Sequence, residues 1–211
     1  PSMSVGVDHV DVAALTRRGI PLGHTPGVLV DTTADLAMAL MLAAARRIPE
    51  ADQFVRNGQW NPANPWHPEM FVGKDLAGAT LGLVGLGAIG QAVARRAAGF
   101  GMKVLGWNRT PRDHEGVEFV SFDELLAQSD FLSVHVALTA DTRDLLDRDA
   151  IGRMKRGAVL VNTARGGIVD EAALADALRE GRLFSAGVDV FGREPVAADN
   201  PLLGLPNVVL A

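Results

Sequence analysis

The segment Val84-Gly85-Leu86-Gly87-Ala88-Ile89-Gly90 constrains this chain more than any other. It follows the apolar run Thr80-Leu81-Gly82-Leu83-Val84 and opens a helix-compatible run over residues 91–100. G-x-G-x-x-G therefore falls at a strand-to-helix turn, the context in which the pattern has a mechanical meaning. Gly85 would permit the tight turn, Gly87 would let the backbone approach a pyrophosphate, and Gly90 would let the helix pack close to the strand. Ala88 and Ile89 lie at the helix start, where free N–H groups and the helix dipole favour an anion. Glycines also serve ordinary turns, so the reading as a dinucleotide site draws its strength from that setting.

The rest of the chain supports the same architecture. From residue 80 onward, short apolar strands (81–84, 103–107, 131–136, 158–162, 185–188 and 208–210) alternate with helices (91–100, 122–128, 147–154 and 171–180). Continuous apolar strands separated by helices imply a parallel sheet covered on both faces, a doubly wound α/β fold of Rossmann type. Upstream, residues 10–18 read as a helix ended by Gly19, residues 20–22 as a short strand, and Thr25-Pro26-Gly27 as a turn. Asp31-Thr32-Thr33 is expected to cap a long helix reaching about Arg47 and stopped by Pro49, with a further helix over 50–58. Residues 59–71 crowd Trp60, Pro62, Pro65, Trp66, His67, Pro68 and Phe71 into a stretch that prolines bar from regular helix. Either an arm packing on another subunit or domain, or a loop folded on its own protein, would bury those aromatics.

Composition excludes several classes. There is no cysteine, which removes disulfides, thiolate catalysis and Cys-ligated metals. The net charge of −5 and the lack of like-charged blocks argue against a nucleic-acid surface. The longest apolar run, residues 36–45, is too short for the roughly 20 helical residues that span a bilayer. No signal peptide or metal-ligand cluster is visible, and a cytoplasmic protein is the default expectation.

The cofactor is legible at the second strand. A site for NAD usually places Asp or Glu about 20 residues past the glycines, to bond the ribose 2′-hydroxyl. Here Asn108 stands 18 positions past Gly90, followed by Arg109, Thr110, Pro111 and Arg112. An acid would repel a 2′-phosphate, whereas a guanidinium fork binds one through paired, charge-assisted hydrogen bonds. Thr110 could add a hydroxyl and Arg112 a second charge. The sequence thus favours NADP(H), with NAD(H) as the alternative, and a solvated turn with Asp113 as surface partner as the plainest reading.

Two later stretches complete a pattern: Val161-Asn162-Thr163-Ala164-Arg165-Gly166-Gly167-Ile168-Val169-Asp170, and Gly187-Val188-Asp189-Val190-Phe191-Gly192-Arg193-Glu194-Pro195. With the glycine loop at its proper distance upstream, the chain resembles the D-isomer-specific 2-hydroxyacid dehydrogenases over essentially its whole length. Asn108-Arg109-Thr110 and Trp66-His67-Pro68 are most similar to the glyoxylate/hydroxypyruvate reductases of that family. The resemblance implies NADPH-dependent reduction of a small 2-oxo acid by hydride transfer. It casts Arg165 as the cation for the substrate's carboxylate and ketone oxygen, and the backbone N–H groups of Val5 and Gly6 as a second carboxylate clamp. Glu194 is cast as the acid that bonds a catalytic histidine, and Asp189 as a residue near the nicotinamide. Thr163 and Ala137 would line the cofactor, and Thr33 would touch it from an interdomain helix.

The same resemblance implies a division of the chain. Residues 1–27 would be a remnant of a flavodoxin-like substrate domain. Residues 28–211 would form the dinucleotide-binding domain, with 28–79 as interdomain helix and dimerisation arm and 80–211 as Rossmann core. The catalytic histidine of the family follows the last strand and is expected just beyond Ala211. None of His9, His24, His67, His114 or His135 is a convincing substitute, and His135 reads as part of the cofactor wall. The chain itself is then expected to be an inactive fragment, and the parent a homodimer through residues 59–71. Two alternatives stay open: a non-catalytic dinucleotide-binding module, and an NAD-linked 2-hydroxyacid dehydrogenase such as one acting on phosphoglycerate.

Overall fold

The computed structural model describes residues 6–7, 10–110 and 114–211. Val5, His9, Arg112 and Asp113 lie outside the described residues. The chain begins with α1 (Val12–Arg17), α2 (Val30–Ala45) and α3 (Ile48–Arg56). It continues with β1 (Thr80–Val84), α4 (Ala88–Gly99), β2 (Lys103–Trp107), β3 (Glu118–Phe119) and α5 (Phe122–Gln128). Then follow β4 (Phe131–Val134), α6 (Arg148–Arg153), β5 (Val159–Asn162), α7 (Glu171–Arg179), β6 (Ser185–Val188) and β7 (Val208–Leu210).

The seven strands form one sheet in the order β3-β2-β1-β4-β5-β6-β7, and every pair is parallel. Strand order reverses at β1, so the crevice beyond the carboxyl ends of β1 and β4 is the place where such sheets take ligands. The strand residues alternate strictly between the two faces. Leu81, Leu83, Phe131, Val159 and Val161 join Met38, Met41, Ala92, Val93 and Ala97 under α2 and α4. Val84, Leu105, Leu132, Leu160 and Val188 join Leu125, Ile151, Met154, Leu174 and Leu178 under α5, α6 and α7. Burial on both faces is why these strands read as unbroken apolar runs.

Side-chain caps set most helix starts. Asp147 caps α6, Asp170 caps α7, and Ser121 with Glu124 makes a reciprocal capping box on α5. The long helix behaves otherwise. It starts at Val30 after Leu29, with no side-chain cap, so Asp31, Thr32 and Thr33 lie inside its first turn rather than in front of it. Asp31 and Asp35 instead engage Arg96 of α4, at 3.1 and 2.6 Å. Pro49 does not stop this helix. The chain turns at Arg47, in the left-handed region with φ 55°, and Pro49 occupies the first turn of α3, where its missing N–H is not needed.

Residues 20–22 form no strand. The two-residue edge strand β3 was not anticipated, being too short to show a period. β4 ends at Val134, two residues early, where the chain turns across the glycine loop. Gly187 of β6 faces Leu40 so closely that an added Cβ would lie 2.8 Å from the Leu40 Cβ, and the Ser185 hydroxyl donates to the Ala44 carbonyl at 3.0 Å. These contacts run α2 antiparallel to β6 and carry Thr33, two turns before Leu40, toward the carboxyl edge of the sheet.

Met41 is fully buried between α2 and the sheet. Met41→Ala should therefore lower stability by about 2–5 kcal/mol, read as a shift of the urea midpoint at unchanged slope. The same measurement on Ala39, exposed on that helix, should show a change below about 0.5 kcal/mol for Ala39→Ser.

Candidate functional site

The turn after β1 is built as its sequence requires. Gly85 has φ +102°, and an added Cβ would lie 2.7 Å from the His135 carbonyl oxygen. Gly90 backs so tightly onto the turn that its Cβ would lie 2.1 Å from the Gly85 carbonyl oxygen. A Cβ at Gly87 would meet nothing within 4 Å, so this residue fronts open space. Gly87 is the N-cap of α4 with no side-chain cap, leaving the N–H groups of that first turn directed into the opening. Ala88 is exposed there and Ile89 half-buried.

Asn108 follows β2 and does something the sequence did not indicate. Its Oδ1 accepts from the Leu86 N–H at 2.8 Å, so the residue fixes the glycine turn from the neighbouring strand. Gln91 holds the other side, donating from Nε2 to the Leu86 carbonyl at 3.0 Å. Arg109 is exposed and pairs with Asp141, 3.0 Å away; Asp113, its expected surface partner, lies outside the described residues. Thr110 is exposed beside it.

The third loop follows β5. Asn162 at the strand end is buried; its Nδ2 donates to the Arg165 carbonyl at 3.0 Å and its Oδ1 accepts from the Ala164 N–H at 3.1 Å. This locks residues 163–165 into one conformation, with Arg165 half-buried. The Thr163 hydroxyl oxygen is buried and has no hydrogen-bond partner among the described residues. The fourth loop follows β6. The Asp189 N–H donates to the Asn162 carbonyl, and Glu194 accepts from the Phe191 N–H at 3.0 Å. Burial, and then the nearby charge of Glu194, push the Asp189 carboxyl above its ordinary value.

The third and fourth loops touch. Gly166 lies against the Phe191 carbonyl so closely that no Cβ would fit. Glu171, at the start of α7, accepts from the Gly192 N–H at 2.5 Å and from Asn200 Nδ2 at 2.7 Å, clamping the loop that carries Glu194. Asn162 and Glu171 were not singled out from the sequence, although both fall within or beside the quoted motifs. Their polar identity at a strand end and a helix start was the available signal.

His135 follows β4, with its ring Nε2 2.9 Å from the Ser133 hydroxyl and its backbone against Gly85. Burial lowers its pKa to about 4, so it is neutral over the physiological range. Ala137 is exposed, with its carbonyl accepting from the Thr142 hydroxyl at 2.6 Å. Gly6 is half-buried in the N-terminal segment, well before β1 in sequence. In the arm, Trp60 and Trp66 are 56% and 67% exposed, while Phe71 tucks edge-on against Phe54, centroids 5.2 Å apart. No helix of the described residues is long and apolar enough to cross a membrane, and no group of three or more potential metal ligands occurs among them.

A parallel sheet with a reversal at β1, a glycine turn there and polar loops at the same edge define a dinucleotide-binding α/β domain. The chain belongs to the D-isomer specific 2-hydroxyacid dehydrogenases: residues 38–211 match the NAD binding domain of that family. It is 54% identical over 212 residues to a glyoxylate reductase of Korarchaeum cryptofilum, covering 99% of this chain and 63% of that protein. It is 52% identical over 213 residues to a glyoxylate reductase of Thermococcus litoralis, covering 99% and 64%. The crystal structure of the TT0316 protein from Thermus thermophilus superposes with a TM-score of 0.93 at 53% identity, covering 99% of this chain and 65% of that one. The chain thus spans slightly under two thirds of the length of these relatives.

Because His135 is held neutral when folded and titrates near 6.5 once unfolded, the unfolded state binds the extra proton first as pH falls. Stability should drop between pH 6.5 and about 4 for this reason. The difference in melting temperature between the parent protein and His135→Gln should change over that window and flatten above it. A constant difference would contradict the assignment.

Proposed function

We propose that this chain is the cofactor-binding part of a reductase that uses NADP(H) in preference to NAD(H). Its substrates are small 2-oxo acids, glyoxylate or hydroxypyruvate. The observation that carries this reading is the contact between the Arg165 and Glu194 loops, at the carboxyl edge shared with the glycine turn. The names of the similar proteins support the substrate class.

The residues present suit a nicotinamide dinucleotide. Gly87 and the first turn of α4 would take the pyrophosphate. Asn108, Arg109, Thr110 and Arg112 would meet the adenosine ribose and its 2′-phosphate. Ala137, Thr163, Asp189 and Thr33 would line the remainder, and Thr163 offers a buried hydroxyl that lacks a protein partner among the described residues. When bound, the nicotinamide supplies the hydride. Arg165 holds the substrate carboxylate and draws electron density onto the ketone oxygen, with Val5 and Gly6 as a backbone clamp. Glu194 would orient a catalytic histidine of the full-length protein and keep it protonated, so that it can donate the proton to the developing alkoxide.

Residues 1–27 would then belong to a substrate domain and 28–211 to the cofactor domain. Exposed Trp60 and Trp66 favour a homodimer through residues 59–71. The alternative of a binding module without catalysis is distinguished by the same assay.

In the full-length protein, glyoxylate should drive loss of NADPH absorbance. Arg165→Ala should lower kcat/KM by about 10²–10³, the scale of losing one charge-stabilising group, with cofactor affinity little changed. Absence of turnover with every small 2-oxo acid would favour the binding module. Separately, kcat/KM for NADPH should exceed that for NADH, and Arg109→Ala should erase that preference. A parent protein that prefers NADH contradicts the cofactor assignment.

A further inference from the structure

Arg109 does not stand alone at the end of β2. Its Nη1 lies 3.0 Å from Oδ2 of Asp141, which belongs to the loop after β4. β2 and β4 are the two strands that flank β1, so the ion pair links the loops on either side of the glycine turn. Asp141 is held on its own side. The Thr142 hydroxyl accepts from the Thr139 N–H at 2.8 Å and donates to the Ala137 carbonyl at 2.6 Å. Beyond it, the Asp144 N–H donates to the Gly167 carbonyl at 2.8 Å and the Leu146 N–H to the Ile168 carbonyl at 3.0 Å. The loop backbone that carries Asp141 is therefore fixed on the β4 side, so its carboxylate stays in reach of this edge when Arg109 is displaced.

We infer that Asp141 tempers cofactor specificity, because its carboxylate occupies the Arg109 guanidinium that a 2′-phosphate would take. The inference rests on the proposed cofactor reading and concerns how strongly it is expressed. Both side chains are largely exposed, at 81% and 71%, so the pair itself is weak and a phosphate can displace it. Displacement leaves a tethered like charge within a few ångströms of the phosphate. A dinucleotide with a free 2′-hydroxyl brings no such charge and leaves the pair in place. Asp141 thus acts selectively against the phosphorylated cofactor and narrows a preference that Arg109 creates.

The test is equilibrium binding of NADPH and of NADH to the full-length protein, followed by quenching of tryptophan fluorescence. Asp141→Asn should tighten NADPH about three- to ten-fold, the size of one screened charge contact at this range, and leave NADH within about two-fold. The gain should shrink at high salt, and should largely vanish when Asp141→Asn is placed on Arg109→Ala. If Arg109→Ala weakens NADPH while Asp141→Asn leaves the NADPH-to-NADH ratio unchanged, the inference fails and the cofactor reading stands. An equal gain in the presence and absence of Arg109 also overturns it, because the charge would then act without the shared guanidinium. If Arg109→Ala leaves NADPH binding unaltered, both fall together.

Discussion

The backbone contact between Gly85 and Gly90 is the constraint on which the rest of this edge depends. A helix can follow a strand this sharply only if one residue takes a positive φ and the next turn carries no Cβ. With Gly85 at +102° and a Cβ at Gly90 only 2.1 Å from the Gly85 carbonyl oxygen, both conditions are met by glycine alone. The consequence is mechanical: α4 begins directly over the end of β1, and its first N–H groups have no partner within the helix. Asn108 and Gln91 then secure Leu86 between them, from the next strand and from the helix itself. The opening in front of Gly87 is therefore a rigid feature of the fold rather than slack in a loop.

A second network holds the opposite half of the edge. Asn162 spends both ends of its carboxamide on the loop that carries Arg165, and its backbone carbonyl receives the Asp189 N–H from the next strand. Glu171 spends both oxygens on the loop that carries Glu194. Gly166 lets the two loops meet. The geometry of these two loops is set by hydrogen bonds from strand and helix ends as well as by their close contact. The bonds are part-buried or exposed, so the loss of one anchor would act mainly by loosening the loop it holds.

What was legible in the sequence follows from what has a period or a unique conformational demand. The strands 103–107, 185–188 and 208–210 and the helix 122–128 are found where apolar runs and a Ser-x-x-Glu box mark them. The family is legible because three motifs occur in order. What escaped depends on long-range contact. α2 needs no cap because packing on β5, β6 and α4 secures it, and its acidic first turn is used on Arg96 instead. Pro49 suits both the end of one helix and the start of the next, and the left-handed Arg47 that decides between them has no sequence signature. The Arg109–Asp141 pair joins positions 32 apart in sequence, a spacing no local pattern encodes.

The distribution of satisfied polar groups bears on where a ligand belongs. The buried polar residues among those described are Ser129, Ser133, Asn162, Thr163 and Ser185. Ser129 and Ser185 donate to helix carbonyls, Ser133 meets His135, and Asn162 binds the loop after it. Of these, Thr163 alone keeps a buried oxygen without a partner. A fold that satisfies the other four has no general tolerance for such groups, since each unpaired one is a standing penalty. The exception falls one residue past β5, on the edge that carries the glycine turn, between the anchoring Asn162 and Arg165. In the proposed dinucleotide complex the ligand would supply the partner that this hydroxyl lacks. An enclosed core would instead have paired it or replaced it with an apolar group.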